Sequence, residues 1–184
     1  MKVIKMLAFA MILSLATVFS TNAYAQDSSQ DKDYLLTHHV INYTGLLQNE
    51  VAPNDDQILN RALCKFEART GIKIFVVIVK SLGDVDIETY TKAVEEELGI
   101  VKNGNNKYIV FFVAMKDEAV HIDVAPGLNK ILPEKYVDKI LNEEGDVVPY
   151  FKAKMMSEGI ISGVTAIVNI VGHNHRLQSL KQDR

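Results

Sequence analysis

Four acidic residues offer the first suggestion of chemistry: Asp84 and Asp86 follow one apolar run, and Asp117 and Glu118 follow the next. Hard cations take carboxylate oxygens in flexible geometry, so Asp84, Asp86 and Asp117 are candidate ligands for calcium or another divalent cation. Each also has a plain structural use. Asp84 or Asp86 suits the cap of the following helix, and Asp117 with Glu118 suits a solvated turn. His173 and His175 form a His-x-His pair able to meet a transition metal on an extended chain, whereas His38 and His39 have no telling spacing. Cys64 is the single cysteine, so no intramolecular disulfide can form. Its place among Ile58, Leu59, Ala62, Leu63 and Phe66 assigns it to packing. No Gly-x-Ser-x-Gly elbow, phosphate loop, HExxH pair or dinucleotide-binding glycine fingerprint occurs, so the chain shows no standard nucleophile or cofactor site.

For the acids to converge, two strands must end side by side, and the hydrophobic periods supply them. Asp55 or Asp56 caps a helix with apolar positions 58, 59, 62, 63 and 66, stopped at Gly71. Residues 72–79 form a continuous apolar run, the composition of a central strand covered on both faces. The next helix turns Ile87, Tyr90, Ala93, Val94 and Leu98 inward and Glu88, Lys92, Glu95 and Glu96 outward. Residues 108–114 make a second buried strand, most simply a right-handed parallel crossover from the first. A tight connection at 116–118 leads to an antiparallel edge strand with Val120, Ile122 and Val124 on one face and His121 and Asp123 on the other. Pro133 opens a helix carrying Tyr136, Val137, Ile140 and Leu141, and residues 155–171 make another through Met156, Ile160, Val164, Ile167 and Val171. The predicted fold is α/β: a small mixed sheet with a parallel βαβ crossover and an antiparallel edge hairpin, flanked by helices. The acids then lie beyond the carboxyl ends of the parallel strands, where ligands often bind. Residues 105–107 and 125–129 meet at the other end of the sheet.

The N-terminus predicts export. Lys2 and Lys5 precede an uncharged run over 6–19, and Ala23, Tyr24 and Ala25 supply a small-x-small cleavage pattern, placing cleavage after Ala25. Removing residues 1–25 from 184 leaves 159, enough for one domain with a single core. The expected division is a signal peptide at 1–25, a flexible leader at 26–37, a domain at 38–171 and a polar tail at 172–184. Loss of two lysines takes the formal charge from −3 to −5, which disfavours general nucleic-acid binding. The apolar stretch 160–171 falls short of the roughly 20 residues a membrane helix needs, so no stable span is expected after cleavage. The protein is expected in the periplasm or secreted medium.

Several pieces, in order, resemble the TPM domain family, known from secreted bacterial proteins and thylakoid-lumen proteins linked to photosystem II repair. They are VINYTGLL, FEARTGIKIFVVIVKSLGDVDIETY, EEELGIVKNGNNKYIVFFVA and VHIDVAPGLNKIL, together spanning about residues 38–171. The resemblance implies an exported accessory or binding module for assembly, repair or regulation of an envelope protein partner. It also implies an alternative, the metal-dependent acid phosphatase-like activity from which the family takes its label. Departures from the family pattern mark the region expected to hold a ligand. Asn42 stands where the family has aspartate, Val101 and Lys107 where it has glycine, Ala125 for the first glycine of the last motif, and Asn129 for glutamate. The candidate ligand-binding edge is therefore Asn42, Asn105, Asn106, Gly127 and Asn129. An asparagine carbonyl can still face a cation, but without charge, so these changes should weaken calcium binding.

Overall fold

A short strand β1 (Val40–Asn42) precedes helix α1 (Asp55–Thr70), strand β2 (Lys73–Val79), helix α2 (Ile87–Glu97) and strands β3 (Tyr108–Ala114) and β4 (Ala119–Val124). A 3-10 turn (Pro126–Leu128) then leads to helices α3 (Glu134–Leu141), α4 (Val148–Lys152) and α5 (Met156–Gln182). The computed structural model describes residues 38–44, 55–97, 99–101 and 106–182. The expected signal peptide and leader, and Asn105, lie outside them.

Local sequence explains the main boundaries. Asp55 and Asp56 place negative charge in the first turn of α1 and Arg69 positive charge in its last, as the helix dipole favours. Gly71 ends that helix at φ +67°, a left-handed conformation that glycine adopts without a Cβ penalty, and its N–H donates to the Glu67 carbonyl at 2.7 Å. Asp86 begins α2 by accepting the Thr89 N–H at 2.9 Å. Pro133 sits at the N-cap of α3, where its missing N–H is no loss.

Among the described residues the sheet has four strands in the order β1-β2-β3-β4. β1 and β3 both run parallel to β2, with Asn42 opposite Ile78 and Lys73 opposite Tyr108. β4 returns antiparallel to β3 at the edge, with Val124 opposite Ile109. The predicted mixed sheet, crossover and edge hairpin are all present. Alternate side chains then separate two interiors. Ile74, Val76, Ile78, Ile109, Phe111 and Val113 face α1, α3 and α5; Phe75, Val77, Val79, Tyr108, Val110 and Phe112 face α2.

Four local expectations need correction. Ile58 is 56% exposed and Ala62 is also exposed, so α1 buries Leu63 and Phe66 with Leu59 half-covered. Glu95, expected outward, is buried on α2. A short helix, α4, was not anticipated, because five residues are too few to show a period. Most consequentially, α5 runs beyond residue 171 to Gln182, converting most of the expected tail into helix. No helix among the described residues is long and apolar enough to cross a membrane.

Candidate functional site

The start of β3 and the end of β4 meet as the hairpin geometry requires. Ala125 N–H donates to the Tyr108 carbonyl at 3.0 Å, and Lys73 N–H to the Lys107 carbonyl at 3.1 Å. Gly127 then packs directly on Asn106. A Cβ at this glycine would lie 2.4 Å from the Asn106 backbone oxygen, so only a residue without a side chain permits this approach. Asn129 caps the 3-10 turn and is exposed.

Beside this junction lies a groove of about 220 Å³. Lys107 and Gly127 line it from the β3–β4 end, Thr70 from α1, and His175, Gln178 and Ser179 from α5, with Ile72, Leu128 and Ile131 as apolar lining. The extended helix is anchored here: Asn174 Nδ2 donates to the Ile131 carbonyl at 2.8 Å. Sequence reading missed this wall because the apolar series Val164, Ile167 and Val171 gives way to polar residues. Its signal was the spacing itself, since Asn174, His175 and Gln178 continue the same helical stripe. On that helix His173 and His175 are two positions apart and point in different directions, so they do not act as a pair.

Asn42 does not join the groove. β1 is parallel to β2, so Asn42 lies at the carboxyl end of the parallel strands while Asn106, Gly127 and Asn129 lie at the opposite end. Its Oδ1 accepts the Thr44 N–H at 3.1 Å and the Thr44 hydroxyl at 2.9 Å, closing a local turn. A second hollow, of about 350 Å³, lies at this end between Tyr43, Thr44, Lys80 and Met115.

The acidic residues share that end of the sheet but are occupied separately. Asp117 Oδ2 accepts the Leu82 N–H at 2.9 Å and its Oδ1 the Ser81 hydroxyl at 3.4 Å, tying the β3–β4 turn to the segment before α2. Asp86 caps α2, and the hydrogen bonds from Thr89 hold its carboxyl below the usual carboxylate range. Glu118, in a left-handed turn position at φ +49°, pairs with Lys154. Asp84 is exposed. Among the described residues no three His, Cys, Asp or Glu side chains gather in a way that could hold a metal ion.

Two buried ionisable groups carry more physical tension than these surface acids. His39 is 1% exposed; its Nδ1 lies 2.8 Å from the Ile74 carbonyl and its Nε2 3.0 Å from Glu67 Oε2. Burial pulls its pKa below the usual imidazole value, with the Ile74 carbonyl and Glu67 opposing. On α2, Glu95 is 4% exposed and faces Asp123 of β4. Burial, reinforced by Asp123, pushes its carboxyl up to about 8. Cys64 is half-buried, consistent with a packing role.

A helix-flanked mixed sheet with one glycine-dependent junction is therefore the class of protein at hand. The TPM domain model matches residues 40–170, and the chain belongs to that family. Solved structures with the same fold include the N-terminal domain of a P. gingivalis protein, at 22% identity and TM-score 0.66, covering 76% of this chain and 85% of that one. The N-terminal domain of the cg2496 protein of Corynebacterium glutamicum matches at 18% identity and TM-score 0.51, covering 85% and 84%. The BA42 protein of the psychrophilic bacterium Bizionia argentinensis matches at 17% and 0.54, covering 64% and 79%. At these identities the likeness concerns the fold. No curated protein matches the chain.

Proposed function

We propose that this chain is an exported TPM-domain accessory module that binds a partner in the cell envelope and acts there in protein assembly, repair or regulation. The observation that carries this reading is the groove between Lys107, Gly127 and the far end of α5. Three separate elements supply its wall, and it combines apolar lining with a few polar side chains, the usual chemistry of a recognition site. The leader with Lys2, Lys5 and the 23–25 cleavage pattern supports export to the periplasm or beyond. Catalysis has less support: a phosphatase needs a positioned nucleophile or water together with charge stabilisation of the phosphoryl group. The groove's polar lining does hold a cation, an imidazole and two hydroxyls in Lys107, His175, Thr70 and Ser179, so turnover is measured beside capture.

The test is crosslinking and pull-down with the mature chain, residues 26–184, from the native envelope fraction. A Gln178→Ala, His175→Ala variant serves as the comparison, with a generic phosphomonoester assay in calcium or magnesium alongside. Capture of the same partner by the wild type and its loss in the variant is the expected result, with little turnover. Metal-dependent turnover without groove-dependent capture would replace the module with a hydrolase. N-terminal sequencing of the exported protein should begin at Gln26.

A further inference from the structure

Among the described residues helix α2 is the one helix on its face of the sheet, and Glu95 in its last turn is turned inward with 4% exposure. Its Oε1 has no hydrogen-bond partner among the described residues. Asp123 stands on the same α2-facing side of the sheet, on β4 opposite Val110, and its carboxyl acts on that of Glu95 through charge and hydrogen bonding. An ionised carboxylate only accepts hydrogen bonds, so a hydrogen bond between two of them requires a proton. A charged Glu95, buried beside the half-buried Asp123, would otherwise be repelled by a second negative charge with reduced screening.

We propose that Glu95 and Asp123 share one proton and so latch the last turn of α2 to β4, and that losing this proton releases that turn and the segment after it. The charged neighbours support holding a proton. Asp123 and His121 share the α2-facing side of β4, Tyr108 approaches from β3, and Lys92 lies one turn back on α2. Burial, then Glu95 and Asp123, push the Tyr108 hydroxyl up to about 12, so it stays neutral and offers no counter-charge. Lys92 is exposed and lowers the Glu95 value less than burial and Asp123 raise it.

The latch sits where its opening would be felt. Ile100 N–H donates to the Glu95 backbone carbonyl at 3.0 Å, so the segment leaving α2 hangs from the same turn. Asp123 stands opposite Val110, two positions before Ala125, which starts the junction at Asn106 and Gly127. Deprotonation would therefore loosen both the exit of α2 and the strand end bordering the groove. This inference is independent of what the groove binds.

The test is a carbon-detected NMR titration of the Glu95 and Asp123 carboxyl carbons, with amide exchange at Ile100 corrected for its intrinsic pH dependence. The pair should titrate in two well-separated steps. As pH rises toward the upper step, corrected exchange at Ile100 should rise about tenfold per pH unit, the slope for release of one proton, and it should level off above that step. Glu95→Gln keeps a donor toward Asp123 but has no proton to lose, so its Ile100 protection should stay flat; Asp123→Asn provides the same check from the other strand. The latch is overturned if both carboxyl carbons titrate below pH 6, or if Ile100 exchange has the same pH slope in wild type and Glu95→Gln. Calcium-induced shifts of both carbons at pH 7 would also overturn it, by putting a cation in the proton's place.

Discussion

Phe111 and Phe112 are neighbours on β3 with no exposed surface, yet they sit in different interiors. Phe111 packs under α5 close to Gly163, within a core to which α1, α3 and α5 all contribute. Phe112 faces α2, where the Tyr90 ring lies 5.5 Å from its own. Among the described residues the first face is closed by several helices and is apolar throughout; the second is closed by one helix and admits Thr91, Glu95 and the half-buried Asp123. A single helix covers too narrow a strip to keep polar side chains of an edge strand in water. Asp123, on the alternation a solvent-facing residue of β4, is thereby drawn under α2.

Truncation of the two rings is the strongest way to break this contrast. Phe111→Ala and Phe112→Ala should each cost about 3–5 kcal/mol, with Phe111 at the upper end. Helices held from several sides cannot collapse into the cavity, whereas α2 can settle toward the sheet. Urea unfolding midpoints measure both, and a larger loss at Phe112 would mean that the lone helix is the more rigid cover. Gly127→Ala should come next, at about 1–3 kcal/mol, because the new methyl meets the Asn106 backbone rather than a flexible side chain. Amide shifts at Asn106 and Lys107 should report the displacement, and unchanged shifts would show that the junction can yield.

Much of this arrangement was readable from residue pattern. β2 and β3 are long apolar runs, and such runs specify central strands whatever covers them. The hairpin followed from the alternation in β4, which brought residues 106–107 and 125–129 together. Two things were hidden for physical reasons. Glu95 carries a charged side chain at a position whose burial depends on what lies across from it, and that is a tertiary fact. The end of α5 keeps helical spacing with polar residues because it borders a groove rather than a core, so hydrophobic period alone stops too early. Asn42 was placed with the wrong strand ends because grouping by motif ignored that β1 and β2 are parallel.

The pH dependence of stability sharpens the same comparison, since Glu95 under α2 and His39 beside β1 are buried ionisable groups of opposite sign. Glu95 has a folded value near 8 against an ordinary 4.5, so the folded state binds more protons between them. Stability from this group is complete below about 4.5 and is lost as pH rises through 8. His39 acts with the opposite sign: its lowered value means stability is present above 6.5 and lost as pH falls below it. Between 6.5 and 8 Glu95 acts unopposed, so wild-type stability should decline across that window. Glu95→Gln should abolish the decline, and His39→Gln should leave it intact while flattening the acid side. Denaturation midpoints at half-unit pH steps decide it; a decline that survives in Glu95→Gln would assign the effect to another group.

The smallest expected effect tests how α2 is held at its other end. Asp86 is exposed, and its side chain caps α2 chiefly by accepting the Thr89 N–H, so Asp86→Ala should lower Tm modestly at neutral pH. The bond prefers the ionised carboxylate, which is why the Asp86 pKa lies below its usual value of 3.8. That stability is present above 3.8 and fades as pH falls through the folded value. The gap between wild type and Asp86→Ala should therefore close toward about pH 2, where the carboxyl is neutral in both states. Asp84→Ala, two residues earlier, should leave Tm unchanged at either pH. If the Asp86→Ala gap persists undiminished in acid, the residue shapes the turn before α2 rather than capping it. The lone helix over the second face would then be fixed at one end only, by the Glu95–Asp123 pair.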